Sequence, residues 1–161
     1  DAAKGPLRVF VTSTLTNGRF GGVAGADTRC NQTATAQGLG GQWVAWVSEG
    51  SNGPHAVDRV TSAGPWFLVT GEMVAATKAA LAGGSLLHAI DRDEKGAQVP
   101  VDNDEVWTGT GPNGQYGGRD CDKWTTGSEG NYGQATNTNG DWTRAGSKGC
   151  GNASRLYCFE L

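Results

Sequence analysis

Four cysteines constrain this chain more than any other feature. Cys30 stands alone in the first third, and Cys121, Cys150 and Cys158 fall in the last. There is no C-x-x-C pair, and the two histidines, His55 and His88, are isolated. A tetrahedral zinc site draws its ligands from close pairs, so the cysteines read as two disulfides. Disulfides in turn read as an exported protein, secreted or held at the cell surface. Four cysteines allow three pairings, and spacing leaves all three open.

A chain of 161 residues defaults to one domain, residues 1–161, with residues 1–6 as a flexible lead-in. Its 13 basic and 16 acidic residues leave a net charge of −3, which argues against a nucleic-acid partner. No window approaches the roughly 18 apolar residues of a membrane span. The start, Asp1-Ala2-Ala3, reads as a mature or trimmed end, with any targeting segment out of view. Glycine is abundant at 27 residues without a G-X-Y period, and there are six tryptophans. That combination describes a loop-rich globule whose aromatics anchor short strands.

Leu7–Thr12 is short, β-branched and aromatic, so it reads as a strand. Over residues 22–37, Ala26, Cys30 and Ala34 recur at i, i+4 and i+8, one face of a helix that Gly38 closes. Gln42–Ser48 reads as a strand, and its continuous apolar run predicts a central position. A helical turn is predicted at 56–60, a hairpin around Gly71 between 66–69 and 73–75, and a short helix at 77–81. Val106–Thr108, Cys121–Thr126 and Arg155–Glu160 read as further strands, and 127–140 as polar loop.

Several of these stretches resemble the endostatin domain of collagens XV and XVIII. They are Gln37-Gly38-Leu39-Gly40-Gly41-Gln42-Trp43-Val44-Ala45-Trp46-Val47-Ser48, Val106-Trp107-Thr108-Gly109, Gly111-Pro112-Asn113-Gly114, Cys121-Asp122-Lys123-Trp124-Thr125, Cys150, and Leu156-Tyr157-Cys158-Phe159-Glu160. The resemblance covers most of residues 9–161 and is closer still to bacterial endostatin-like surface proteins of the kind found in Leptospira. It implies an α+β, C-type-lectin-like fold with a mixed twisted sheet, one or two helices and long loops. It also implies the nested pairing Cys30–Cys158 with Cys121–Cys150, which would fix the first helix to the last strand. Endostatin's zinc site uses an N-terminal histidine cluster, and residues 1–12 contain no histidine, so that site does not carry over. The calcium loop of sugar-binding C-type lectins is not matched either, since Gly140-Asp141-Trp142 has the wrong order for it.

The acidic stretch 91–105 is the candidate cation site. Asp91, Asp93 and Gly96 match positions 1, 3 and 6 of an EF-hand loop with Asp102 at position 12, but Lys95 occupies position 5. A looser oxygen set from Asp91, Asp93, Glu94, Asp102 and Asp104 would suit calcium, the one cofactor the sequence suggests. The bland reading is a solvated acidic loop. Trp43, Trp46, Trp66 and Trp107 read as core, and Trp124 as packed on a disulfide. Tyr116, Tyr132 and Trp142 sit in polar surroundings, where an aromatic suits a sugar face or an interface. No G-x-S-x-G elbow is present, so no catalytic residue is assigned. Asn31-Gln32-Thr33 and Asn152-Ala153-Ser154 match the glycosylation pattern. The expectation is a binding or adhesion domain that recognises an extracellular protein or glycan through loops 83–105 and 110–142. The alternatives are a structural module of a larger envelope protein and a hydrolase built around His88.

Overall fold

The computed structural model describes residues 6–161; of the expected lead-in only Pro6 is among them. Strand β1 (Leu7–Val11) is buried on both faces and lies in the middle of a five-stranded sheet. The sheet runs β2–β8–β1–β3–β4, where β2 is Trp43–Ala45, β3 Trp66–Leu68, β4 Met73–Ala75 and β8 Tyr157–Glu160. β1 pairs in parallel with β3 and antiparallel with β8, so the sheet is mixed. The hairpin between β3 and β4 turns at Gly71, as expected.

Helix α1 (Gly22–Ala36) buries the predicted face, Ala26, Cys30 and Ala34. Its small side chains let it lie close along the edge of the sheet, with Cys30 bonded to Cys158 of β8. The apolar run around Trp43 therefore does not make a central strand: β2 is an edge strand. It is buried because α1 and α2 (Ala56–Arg59) supply side chains in place of a neighbouring strand. The Asn31 amide accepts from Trp43 N–H and donates to Trp43 C=O, both at 3.0 Å. Asp27 accepts from Ala45 N–H at 2.9 Å, and Arg59 donates to Ala45 C=O while pairing with Asp27. An open edge invites pairing with another chain, and this one is closed by four side-chain hydrogen bonds. Asn31, matched above to a glycosylation pattern, has its amide fully engaged in that closure.

Helix α3 (Lys78–Leu81) follows β4, with Thr77 as its cap. A second sheet is formed by β5 (Glu105–Trp107), β6 (Glu129–Gln134) and β7 (Gly146–Gly149), all antiparallel. β6 lies where polar loop was expected. Its sequence E-G-N-Y-G-Q has little strand propensity, but its glycines are required by packing. A Cβ on Gly130 would come within 2.8 Å of Cys121 Sγ, and one on Gly133 within 2.0 Å of Trp142 C=O. Proximity to the core thus selects glycine in a strand that would otherwise favour β-branched residues.

The expected strand at Cys121–Thr126 is instead a helical turn of the opposite hand. Cys121, Asp122, Lys123 and Trp124 have φ of 53°, 50°, 58° and 60°. Each such residue without glycine's freedom costs roughly 1–2 kcal/mol. The turn is held by three attachments: the Cys121–Cys150 disulfide, the Trp124 N–H bond to Asp120 C=O, and the buried Trp124 ring. That ring stacks on Phe20 at 4.9 Å, meets Trp107 edge-on at 5.9 Å, and donates its N–H to Ser48 C=O at 3.0 Å. Only Asp122 and Lys123 face solvent within it. Lys123→Gly is expected to raise stability by up to about 1 kcal/mol, because glycine removes the left-handed penalty at the cost of a more disordered unfolded chain. Lys123→Val is expected to lower it by more than about 1 kcal/mol. Urea melts of the pair check this; equal midpoints would contradict a left-handed turn.

Two cores result. One lies around Trp46, Trp66, Trp142, Tyr157 and Phe159, and the other around Phe10, Trp43, Trp107, Trp124 and both disulfides. All six tryptophans are fully or almost fully buried. The chain is thus a mixed α+β fold with short helices apart from α1, two sheets and two nested disulfides.

Candidate functional site

The loops that lie outside the sheets converge along one rim. They are the segment 82–90 after α3, the segment 109–118 after β5, and the segment 135–145 between β6 and β7. Leu86 N–H donates to Thr138 C=O at 2.8 Å, and Ser85 bridges Asn139. A Cβ on Gly140 would lie 3.3 Å from Pro112, so the second and third loops touch as well. Ser85, Leu87, Pro112, Asn113, Gln115, Thr138, Asn139 and Asp141 are exposed along this rim.

Beneath the rim lies a buried hydroxyl network that sequence reasoning missed. Thr143 Oγ1 donates to Thr110 C=O at 3.0 Å and accepts the Trp46 indole N–H at 2.8 Å. Thr108 Oγ1 donates to Thr143 C=O, and the Ser48 and Thr110 hydroxyls bond to each other at 2.8 Å. Ser48 Oγ also accepts from Ala56 N–H at 2.8 Å. All four hydroxyl residues are fully buried. A satisfied polar network in a low-dielectric interior fixes one geometry, so the exposed loops rest on a rigid base. No residue pattern in the sequence announces it, because its members come from four separated segments.

The candidate calcium ligands do not gather into one site. Asp93 is buried and accepts from Lys95 N–H at 2.8 Å and Ala97 N–H at 3.0 Å, which closes its own loop. Glu94 is buried and receives the Ser13 N–H at 2.8 Å together with the Ser13 hydroxyl. Asp104 is buried and takes the Thr136 hydroxyl at 2.5 Å. Asp91 accepts from Gln98 at 3.0 Å, while Asp102 is exposed on the short turn Val101–Asn103. Among the described residues, no three His, Cys, Asp or Glu side chains stand where they could hold a metal ion. The reading of five clustered ligands is corrected accordingly: three of the carboxylates are acceptors for neighbouring N–H and O–H groups.

What lies under those carboxylates is Arg155, which is 7% exposed. Its Nη1 donates to Thr12 C=O at 2.8 Å and Ser13 C=O at 3.3 Å, and its Nε to Asn103 C=O at 3.0 Å. Burial lowers its pKa from the usual value, and the charges of Asp93, Glu94 and Asp104 oppose that. A guanidinium remains protonated regardless. The acidic stretch is therefore folded onto a buried cation supplied by the C-terminal segment.

Of the three aromatics expected at a ligand face, two reach the surface in part. Tyr132, on β6, lies against Gly146 and beneath Lys148, whose Nζ stands 5.6 Å from its ring and 2.6 Å from Glu105. Tyr116, on the second rim loop, is held by its N–H bond to His55 Nδ1 at 3.0 Å. Trp142 is the correction: it is fully buried, packed on Trp46 at 5.1 Å and Tyr157 at 5.4 Å. Its polar surroundings in sequence are loop backbone that covers the ring.

Residues 13–141 match the sequence profile of a family described as "Protein of unknown function (DUF1554)". The chain belongs to this family. The span of this DUF1554 chain that matches holds α1, the acidic stretch and the left-handed turn. Cys30 and Cys121 lie within it, and their partners Cys158 and Cys150 follow it. No curated protein matches the sequence.

The tyrosines of the DUF1554 chain give a direct check on these placements. Burial raises the pKa of Tyr116 and Tyr132, with Asp120 adding to the first and Glu105, Asp104 and Asp141 to the second. Burial raises Tyr157 far more, and its hydroxyl donates to Trp142 C=O at 2.6 Å. A raised folded pKa contributes stability that is complete below the unfolded value of about 10 and is lost as pH rises through the folded one. In an alkaline titration followed by phenolate absorbance, two tyrosines should ionise above the usual range with tertiary structure intact. The third should appear only as near-UV circular dichroism collapses. Three phenolates forming in the intact fold would refute the burial of Tyr157.

Proposed function

We propose that this DUF1554 domain is a secreted or cell-surface binding module of the endostatin-like, C-type-lectin-like kind, recognising an extracellular protein or glycan through its loop rim. The observation that carries the reading is the convergence of three polar loops over the buried Ser48–Thr108–Thr110–Thr143 network. A rigid base under exposed, variable loops lowers the ordering cost of binding and leaves loop sequence free to set specificity. Tyr116 and Tyr132 are the aromatic contacts on this reading, with Asn113, Gln115 and Asn139 as polar ones. Two buried disulfides are compatible with an extracytoplasmic location, and no helix among the described residues is long and apolar enough to cross a membrane. The mixed sheet, single long helix and bridge from that helix to the last strand support the endostatin-like assignment.

A binding role also accounts for the histidines better than a hydrolytic one. His55 Nδ1 accepts a backbone N–H, and His88 Nδ1 contacts Ala89 C=O at 2.8 Å. Neither is hydrogen-bonded to a hydroxyl nucleophile among the described residues. The test is direct binding to an array of glycans and immobilised matrix proteins, repeated with Asn113→Ala/Gln115→Ala and with Asn139→Ala. A ligand whose affinity falls in these rim variants supports the module. Retention of full affinity in every rim variant, or no binding across the array, refutes it.

A further inference from the structure

Four large apolar side chains are exposed among the described residues: Leu15, Met73, Leu87 and Val101, at 41%, 37%, 68% and 76%. Singly they would need no explanation. Their placement does, because all four border the acidic stretch 91–105. Val101 lies within it. Leu87 N–H donates to Val74 C=O at 2.9 Å, which sets Leu87 beside Met73 on the β4 edge. The next residue, His88, stands 3.8 Å from Asp91 and 4.0 Å from Glu72 through its two ring nitrogens. Leu15 follows Ser13, which is bonded to Glu94.

Charge is segregated in the same place. Residues 91–105 hold six carboxylates and two cations, Arg92 and Lys95, a charge of −4 in a chain whose total is −3. Arg155 beneath offsets one of these, and Glu72 adds one at the border. Elsewhere the chain is close to neutral. Apolar side chains with an acidic surround complement a partner that carries apolar anchors within a basic rim.

We propose that the face formed by Met73, Leu87, Val101 and the acidic stretch docks a cationic protein segment, one that presents lysine or arginine beside aliphatic side chains. This rests on the binding-module reading and assigns that module a protein partner. The aliphatic side chains give the affinity, and Glu72, Asp91 and Asp102 give the orientation and the preference for cations. The partner's charge is the selective element, since an acidic segment with the same apolar anchors meets repulsion here.

The probe is a synthetic peptide of alternating lysine and leucine, titrated into the isotope-labelled domain and followed by amide chemical shifts. Lysine–serine and glutamate–leucine peptides of equal length are the comparisons. Expected are shifts confined to residues 72–74 and 86–103, weakening with salt, and no saturable binding of either comparison peptide. Leu87→Ser and Val101→Ser should each weaken binding about tenfold, the loss of one aliphatic contact, with thermal midpoints unchanged. Asp102→Asn should weaken it less and flatten the salt dependence. Equal binding of the lysine–serine peptide would reduce the face to bare charge and overturn the proposal. So would a domain that self-associates through this face and becomes monomeric on Leu87→Ser, since a second copy would then be the occupant. If the peptide leaves 72–74 and 86–103 unshifted while an array ligand shifts 109–118 and 135–145, the binding-module reading stands and this inference falls.

Discussion

Replacing Arg155 with methionine should cost the domain about 3–5 kcal/mol, the loss typical of removing one partner from a buried charge cluster. At this chain length that is a fall of roughly 10 °C in the thermal midpoint. Methionine fills much of the volume, so the loss is electrostatic and hydrogen-bonding in origin. Three carbonyls, of Thr12, Ser13 and Asn103, lose the donor that joins the end of β1 to the turn before β5. Asp93, Glu94 and Asp104 lose the cation beneath them. Arg155→Lys should recover less than half of the loss, because one ammonium cannot reach both the Nη1 and the Nε acceptors. The effect is measured by urea denaturation under non-reducing conditions. A loss under about 1 kcal/mol for Arg155→Met would mean the acidic stretch does not depend on this cation for its fold.

Arg155 also shows where sequence reading stops. In the chain it is one arginine beside a strand, and its partners are some 50 and 140 residues away. The local signals were sound where structure is local. Ala26, Cys30 and Ala34 marked the buried face of α1, and Gly71 marked the β3–β4 hairpin. The position of β2 was misjudged because an apolar run reports burial and not neighbours; Asn31, Asp27 and Arg59 take the place of a strand there. The turn at Cys121 was misjudged because its conformation is imposed from outside, by Cys150 and by the seat of Trp124 against Phe20. Asp93, Glu94 and Asp104 looked like free ligands because their acceptors' partners, such as Ser13 and Thr136, are remote in sequence. For the candidate site, the rim loops were legible as polar, Gly-rich segments. The hydroxyl network that supports them was not, since Ser48, Thr108, Thr110 and Thr143 meet only in three dimensions.

The two disulfides should differ in what their removal costs. Cys30–Cys158 spans 128 residues and Cys121–Cys150 spans 29. Loop-closure entropy alone assigns roughly 5 kcal/mol to the first and roughly 3.5 kcal/mol to the second, a difference of about 1.5 kcal/mol. The measured gap should be wider. The longer bridge joins α1 to β8, where the native backbone is ordinary helix and strand, so Cys30→Ala/Cys158→Ala should lose close to the full amount. The shorter bridge holds Cys121 at the start of a left-handed turn of four non-glycine residues. Once Cys121→Ala/Cys150→Ala frees that end, the turn can relax, and part of its roughly 1–2 kcal/mol per residue returns to the native state. Removal of the shorter bridge should therefore cost only about 1–2 kcal/mol. Adding Lys123→Gly should stabilise the intact domain but have little effect once Cys121 and Cys150 are gone, since the strain it relieves is then already released. Urea melts of the two double mutants, with and without Lys123→Gly, decide the matter. Equal losses for the two bridges, or a full additive gain from Lys123→Gly in the absence of Cys121–Cys150, would show that this disulfide does not hold the turn against its own backbone preference.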